Sequence, residues 1–158
     1  MPESSELAEV YEELLDGEEL LYRQVHPRWF DEGVPSAQAF YPTRKDAGRL
    51  SIARGSLTDP ASAFNHYTTA RGFQSAGTWG VSVQEVNAAP SLVKLPPQTS
   101  GNNAVTLPSR LACREEPLID DPAHGFVDFR SLSNRACELI GKVLLSSAVA
   151  RGCLHSPP

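Results

Sequence analysis

The sequence predicts a single α+β domain, and three observations carry that prediction. The chain has 158 residues, of which 41% are apolar and 21% charged, a size and composition typical of one globular domain with its own core. Short segments in which apolar residues recur at every second position alternate with segments of helical period. The 11 glycines and 13 prolines leave much of the chain to loops, and no internal repeat is visible. We expect a small mixed or antiparallel sheet with an N-terminal, a central and a C-terminal helix.

Residues 1–17 are predicted to form an acidic amphipathic helix, which Ser4 or Ser5 can cap and Gly17 would end. Its apolar side chains follow helical spacing at Leu7, Val10, Tyr11, Leu14 and Leu15. The first 20 residues hold eight acids and no base, although the formal charge of the whole chain is −5. Such a helix either packs on its own domain or lies in the groove of a partner.

Residues 18–152 are expected to form the body of the domain, and residues 153–158 a tail. Strand patterns bounded by turn residues occur four times, at residues 20–25, 49–53, 78–86 and 124–129. The central helix begins at Asp59-Pro60, with Asp59 as the N-cap and proline at the first helical position. The final helix is capped by Ser131 or Ser133.

Between residues 87 and 122 the periodic pattern disappears. Six prolines fall in this segment, and a loop of that length is either functional or disordered, so we expect mostly disorder. The acidic pairs Glu115-Glu116 and Asp120-Asp121 have the residue type of a metal or general-acid site. In a disordered loop, however, burial cannot shift their pKa values, so we interpret both pairs as solvated acids.

Charge and composition argue against several classes of function. The N-terminus has no basic and apolar leader, and the longest apolar stretch, residues 139–150, is far shorter than the roughly 20 residues of a bilayer span. We therefore expect a soluble, cytoplasmic protein without a membrane partner. The basic residues are scattered, so a nucleic-acid partner is not expected. Cys113, Cys137 and Cys153 are odd in number and lack C-x-x-C spacing, which predicts neither disulfides nor a metal site, and Cys137 should be a small buried hydrophobe.

Candidate functional residues come from the strands, because the chain has none of the common nucleotide-binding, hydrolase or metalloprotease motifs. Titratable or nucleophilic side chains lie on predicted strands or at their ends, where a rigid element holds a site in place: Tyr22, Arg23, His26, Ser51, Glu85 and His124. Ser51 could pair with His26 or His124 as nucleophile and base, provided that a third group orients the base. Hydrolysis therefore stays open as an interpretation.

The order of these elements resembles the ADP-ribosyltransferase fold. A first strand carries Tyr22-Arg23, a second carries Leu50-Ser51, and an alanine-bearing helix, a strand with Trp79 and a late short strand follow. In that family a split sheet grips nicotinamide dinucleotide, an Arg or His of the first strand holds it, and a Ser of a central strand supports the ribose. The resemblance implies these roles for Arg23 and Ser51.

The chain departs from that family at the third element, the late acid that stabilises the oxocarbenium-like centre or orients the acceptor. It has no Glu-x-Glu before its late strand and no Ser-Thr-Ser, so only Glu85 or His124 could substitute. Tyr22 and His26 flank Arg23 and are further candidates for binding the dinucleotide. The resemblance also fits a catalytically inactive relative.

A second resemblance, over about residues 20–152, is to a family of small bacterial proteins that brings no established activity. It is carried by five segments, namely LYRQVHP (21–27), PSAQAF (35–40), KDAGRLS (45–51), SAGTWGVSV (75–83) and DPAHGFVDF (121–129). The family has a shorter connection between the Trp79 strand and the His124 strand. The resemblance therefore implies that residues 87–122 contain an insertion.

Two hypotheses follow. In the first, a small bacterial protein binds a partner, expected to be another protein, through its acidic helix and Pro-rich segment, with neither chemistry nor a cofactor of its own. In the second, an ADP-ribosyltransferase-like enzyme or inactive relative binds a nicotinamide dinucleotide. The second requires Arg23, Ser51 and a late Glu or His to converge on one cleft. An Arg23 sealed in an ion pair on the far side of the sheet would exclude it.

Overall fold

The chain folds around a five-stranded antiparallel sheet, which confirms the predicted α+β class. A computed structural model describes residues 11–43, 46–95 and 105–158. In the order β5-β1-β4-β7-β6, the sheet strands are β1 (Leu20–Gln24), β4 (Arg49–Arg54), β5 (Thr78–Ser82), β6 (Cys113–Glu115) and β7 (His124–Asp128). A separate hairpin joins β2 (Phe30–Asp31) to β3 (Val34–Pro35) through Glu32 and Gly33, both with positive φ.

Three α-helices accompany the sheet within the described residues: α1 (Pro60–Asn65), α2 (Val83–Ala88) and α3 (Asn134–Arg151). Asp59 caps α1 as predicted, and α1 continues into a π-helical turn, His66–Ala70. Of the two serines proposed for the final helix, Ser133 is the cap, and its side chain accepts from the N–H of Ala136. None of these helices is long and apolar enough to cross a membrane.

The main core lies between α3 and the sheet. Helix α3 packs against β5 and the 3₁₀ turn Ala37–Phe40. Its inward side chains form one apolar cluster with those of the strands, including Ile140, Leu144, Leu21, Leu50, Val81 and Val127. Cys137 belongs to the same cluster, as predicted for a small buried hydrophobe.

The sheet opens between β1 and its central strand, β4. Strand β1 pairs with β5 over five residues, and β4 pairs with β7 over five, whereas β1 and β4 pair only at Leu21–Arg54 and Tyr22–Ala53. At the closed end, the N–H of Gly55 donates to the carbonyl of Leu20 at 2.7 Å. Beyond Tyr22 the two strands separate, and this opening positions the candidate site.

The prediction of a helix over residues 1–17 is wrong for residues 11–17, which form no helix. Residues 1–10 lie outside the described chain. Residues 11–16 run alongside β6, where Glu13 forms an antiparallel bridge with Arg114 and the N–H of Leu14 donates to the Cys113 carbonyl. Leu14 is buried, and the ring of Tyr11 packs edge-on against Phe126. Pairing with the open edge of β6 satisfies these backbone groups and buries Leu14. These contacts stabilise the extended segment more than a local helix would be stabilised by its apolar spacing.

Two further expectations are corrected. The strand predicted over residues 78–86 stops at Ser82, because Ser82 and Glu85 form a capping box that starts α2. Residues 87–122 were expected to be mostly disordered, but their described part includes the end of α2, a 3₁₀ turn and β6, which pairs with β7. The remainder of that segment, residues 96–104, lies outside the described residues.

Candidate functional site

A cleft of about 820 Å³ lies where the pairing of β1 and β4 ends. Five of the six residues singled out from the sequence line it: Tyr22, Arg23, His26, Ser51 and His124. They come from β1, β4, the start of β7 and the short turn after β1. The opposite wall is formed by α1 and its π-helical extension. The volume is within the usual range for small-molecule sites.

Glu85, the sixth candidate, does not line the cleft. It is the third residue of α2, where its carboxylate accepts from the N–H of Ser82 and pairs with Arg151 at 2.7 Å. Burial raises the pKa of Glu85, but the hydrogen bonds and charge of Arg151 and the Ser82 bonds lower it by more. The expected role of Glu85 as a late acid is therefore corrected: its carboxylate caps a helix and holds the end of α3.

Arg23 fills the gap between β1 and β4. Its Nε donates to the carbonyl of Ala39 at 2.8 Å, and its Nη1 donates to the carbonyl of Ser51 at 2.9 Å. The guanidinium also lies 5.8 Å from the ring centre of Trp29. In the part of the chain that the structure describes, no carboxylate comes within ion-pair distance of it. Burial lowers the pKa of Arg23 by more than Tyr67 and the charge of Asp46 raise it, so its positive charge is held there at an electrostatic cost that a bound anion would relieve.

Ser51 and His124 are diagonal neighbours on one face of the sheet, because His124 pairs with Ala53 in the register of β4 and β7. The Oγ of Ser51 lies 3.2 Å from His124 Nε2. On the other side of the ring, Nδ1 lies 3.1 Å from the carbonyl of Glu116 and 3.4 Å from its carboxylate. A carbonyl only accepts, so Nδ1 carries the proton and Nε2 is left to accept from the Ser51 hydroxyl.

Glu116, which the sequence analysis considered and set aside as a solvated acid, lies next to His124 at the candidate site. It was placed in a solvated loop, whereas its carboxylate pairs with Arg49 at 3.0 Å and its side chain is mostly buried. Glu115 likewise contacts Arg54, so neither acid is a free solvated group. No local pattern marks these contacts, because they join residues more than sixty positions apart.

The remaining lining of the cleft is basic and aromatic. Arg28 and Arg71 line it, and Arg71 lies 3.6 Å from Asp121. The second acid in the lining, Asp46, accepts two hydrogen bonds from Thr43. Aromatic rings are contributed by the turn after β1, the π-helical segment and the loop beyond it: Trp29, Tyr67 and Phe73. The spacing of Tyr67 and Arg71, four apart after a capped helix start, is the signal that could have indicated this wall.

Among residues 11–43, 46–95 and 105–158, no three His, Cys, Asp or Glu side chains come together in a way that could hold a metal ion. Cys113, Cys137 and Cys153 are all free thiols. Burial raises the pKa of Cys113 to about 12, so this thiol stays protonated and unreactive. No family model matches the chain, and comparison with curated proteins and with solved structures found no match either.

Proposed function

We propose that the cleft binds a phosphorylated small molecule that carries a flat ring, and that a nicotinamide dinucleotide is this ligand. The observation that carries the proposal is the convergence of Arg23, Ser51 and His124 on one cleft. It is the arrangement that the hypothesis of a dinucleotide site required. Arg23 is in addition free of the ion pair that would have excluded the hypothesis.

The charges of the cleft favour an anionic ligand. Three arginines of the described chain line it, Arg23, Arg28 and Arg71. Asp46 accepts from Thr43, and Asp121 pairs with Arg71, so Arg23 and Arg28 are the two that form no ion pair with a described carboxylate. A guanidinium offers several N–H donors in a fixed plane, which fits the oxygens of a phosphate or pyrophosphate. Arg23 has an amino group, Nη2, that donates to no described residue and is available for such a contact.

The aromatic lining supports a ligand with a flat ring. The side chains of Trp29, Tyr67 and Phe73 place three rings in the wall, and Tyr67 and Phe73 already contact each other at 5.1 Å. A nicotinamide or adenine ring can stack on such surfaces or meet them edge to face. The choice of a dinucleotide over other phosphorylated ring compounds rests on the resemblance to ADP-ribosyltransferases.

The proposal concerns binding and leaves transferase chemistry aside. Among the described residues no glutamate lines the cleft, and of the two residues that the sequence hypothesis offered for the late acid, Glu85 and His124, only His124 does. The first hypothesis, of a protein partner without chemistry, stays a prediction. Its N-terminal helix is not formed over residues 11–17, and residues 1–10 lie outside the described chain.

A thermal-shift titration with nicotinamide dinucleotide tests the proposal, supported by calorimetry. At a hundred times its Kd, the ligand should stabilise the protein by about 2.7 kcal/mol and raise Tm by several degrees. Arg28→Ala removes an exposed cation of the lining and should weaken binding without unfolding the chain. The matched control is Arg135→Ala on α3, outside the cleft, which should bind as the wild type does.

Two results would contradict the proposal. One is a wild-type protein that shows neither a Tm shift nor a heat of binding with millimolar dinucleotide. The other is equal weakening by Arg28→Ala and Arg135→Ala, which would mean that the ligand responds to overall charge and does not occupy this cleft. Binding of adenosine diphosphate but not of the dinucleotide would retain the anionic site and overturn the choice of ligand.

A further inference from the structure

Ser51, His124 and Glu116 form a line of three side chains, and dinucleotide binding does not explain the contacts that join them. Ser51 is exposed to the cleft, and the imidazole of His124 is mostly buried beside it. The distance from Ser51 Oγ to His124 Nε2 is 3.2 Å, within reach of a proton transfer between nucleophile and base. This arrangement of Ser, His and a carboxylate is recognised by geometry and not by sequence order.

The imidazole is held in one orientation by Glu116. The backbone carbonyl of Glu116 fixes the Nδ1 proton at 3.1 Å, and its carboxylate lies 3.4 Å from the same nitrogen. Arg49 in turn holds that carboxylate at 3.0 Å. The negative charge next to Nδ1 stabilises an imidazolium once the ring has taken up a proton. Glu116 therefore acts as a positioning residue for His124.

Arg23 brings positive charge to the same place. Its Nη1 is bound to the carbonyl of Ser51 itself, so the guanidinium lies beside the residue that carries the hydroxyl. A cation there favours negative charge as it develops on an oxygen near Ser51. With Arg28 in the same lining, it also favours a substrate that is itself anionic, whereas Arg71 is already paired with Asp121.

We propose that Ser51 is a nucleophile activated by His124, and that the protein hydrolyses carboxylic esters whose acyl part carries a negative charge. Ser51 Oγ forms a bond to the ester carbonyl carbon while its proton passes to His124 Nε2. The carbon–oxygen bond to the alcohol then breaks, and His124 returns the proton to the leaving alkoxide. A water molecule, deprotonated by His124, attacks the acyl-serine, releases the carboxylic acid and restores the Ser51 hydroxyl. Neither step needs the dinucleotide.

The experiment is labelling with an alkyl fluorophosphonate, which reacts with activated serines irrespective of the natural substrate. The Ser51 oxygen forms a bond to phosphorus, fluoride leaves, and the serine proton passes through His124 to solvent. Intact mass should show one addition, and peptide mapping should place it on Ser51. Ser51→Ala should abolish labelling, and His124→Gln should slow it about a hundredfold or more, the range of general-base contributions.

Two further variants separate catalysis from structure. Glu116→Gln should slow labelling by less than His124→Gln, since the backbone carbonyl of residue 116 still orients the ring, and its Tm should be recorded alongside. Ser62→Ala is the matched control, because Ser62 lines the same cleft but donates its hydroxyl to the capping carboxylate of Asp59, with no hydrogen bond to a described histidine. It should label as the wild type does.

The substrate class is tested with two p-nitrophenyl esters of equal chain length, one with a free carboxylate at the far end and one without. The anionic ester should have the higher kcat/KM, and the difference should shrink in Arg28→Ala. Absence of labelling in the folded wild type, labelling elsewhere than Ser51, or an unchanged rate in His124→Gln overturns the nucleophile. Equal kcat/KM for the two esters overturns the anionic substrate. Each result is independent of the dinucleotide titration, so either proposal can fail alone.

Discussion

Arg54 and Arg23 occupy the two ends of the contact between β4 and β1, and they differ in what surrounds their charge. The guanidinium of Arg54 binds both carboxylate oxygens of Glu19, at 3.0 and 3.1 Å, and lies 3.4 Å from Glu115. The guanidinium of Arg23 binds two backbone carbonyls and no carboxylate among the described residues. One arginine is neutralised by carboxylates, and the other forms no ion pair with a described carboxylate and lines the cleft.

The comparison shows that strand position and residue type do not determine what an arginine does. Both residues lie on interior strands of the sheet, and both are at least half buried. The difference arises from partners that are remote in sequence: Glu19 and Glu115 reach the closed end of the strand pair, whereas the open end faces the cleft. Buried arginines without an acid are candidates for binding anions for this reason.

The largest expected effect is on the closed end. Arg54→Met should cost about 3–5 kcal/mol of unfolding free energy, because it leaves the carboxylate of Glu19, 4% exposed, without its cation. Arg23→Met should cost less, about 1–3 kcal/mol, because it leaves two carbonyls unpaired but also removes an unneutralised charge. Urea denaturation of both variants measures the difference. An equal or larger loss for Arg23→Met would mean that Arg23 is structural and would weaken the comparison.

The second expected effect concerns the closeness of the two strands. A Cβ at position 55 would lie 2.5 Å from the carbonyl oxygen of Leu20, so Gly55→Ala should force the closed end apart and cost about 1–3 kcal/mol. Gly33→Asn is the control, because position 33 has open space and a positive φ that Asn tolerates. Its stability should stay within about 0.5 kcal/mol of the wild type in the same urea titration. Equal stability of the two variants would contradict the close approach at Gly55.

Much of the fold was predictable because its signals are local. The capping pair Asp59-Pro60 and the serine cap of the final helix depend on neighbouring residues. The sequence analysis placed the first and narrowed the second to Ser131 or Ser133, of which Ser133 is the cap. The strand predicted over residues 49–53 is β4, and it buries Leu50 and Ile52. Arg23, Ser51 and His124 were found as candidates because they lie on or at the ends of such strands.

The remainder was not predictable because it depends on partners far away in the sequence. Residues 11–17 have helical spacing, but Leu14 gains more from burial beside β6 than a marginal helix would provide. In the sequence, Glu116 has the surroundings of a solvated loop acid. In the structure, the pairing of β6 with β7 places it beside His124. Glu85 looked like the exit of a strand until its capping bond with Ser82 redirected the chain.

Acid should weaken the closed end of the strand pair through Glu19. Burial raises the pKa of Glu19, but its hydrogen bonds from Arg54 and Ser56 and the charge of Arg54 lower it below the ordinary value. A lowered folded-state pKa gives stability that is complete above the unfolded pKa, about 4.3, and is lost as pH falls through that value toward the folded one. Unfolding free energy measured between pH 6 and pH 3 should therefore decline below about pH 4.3, and the decline should be smaller in Glu19→Gln. An identical decline in both proteins would assign the acid sensitivity to other carboxyls.

The smallest expected effect on stability belongs to the residue with the largest proposed chemical role. Ser51→Ala should change the unfolding free energy by no more than about 0.5 kcal/mol, because the hydroxyl is exposed and its bond to His124 faces solvent. The backbone carbonyl of Ser51, which holds Arg23, is unaffected by the change. A loss well above 1 kcal/mol in urea would mean that the serine–histidine bond contributes to the fold, as the arginine pairs of the closed end do. Unchanged stability together with lost fluorophosphonate labelling would instead show that the Ser51 hydroxyl is needed for the reaction and not for the fold.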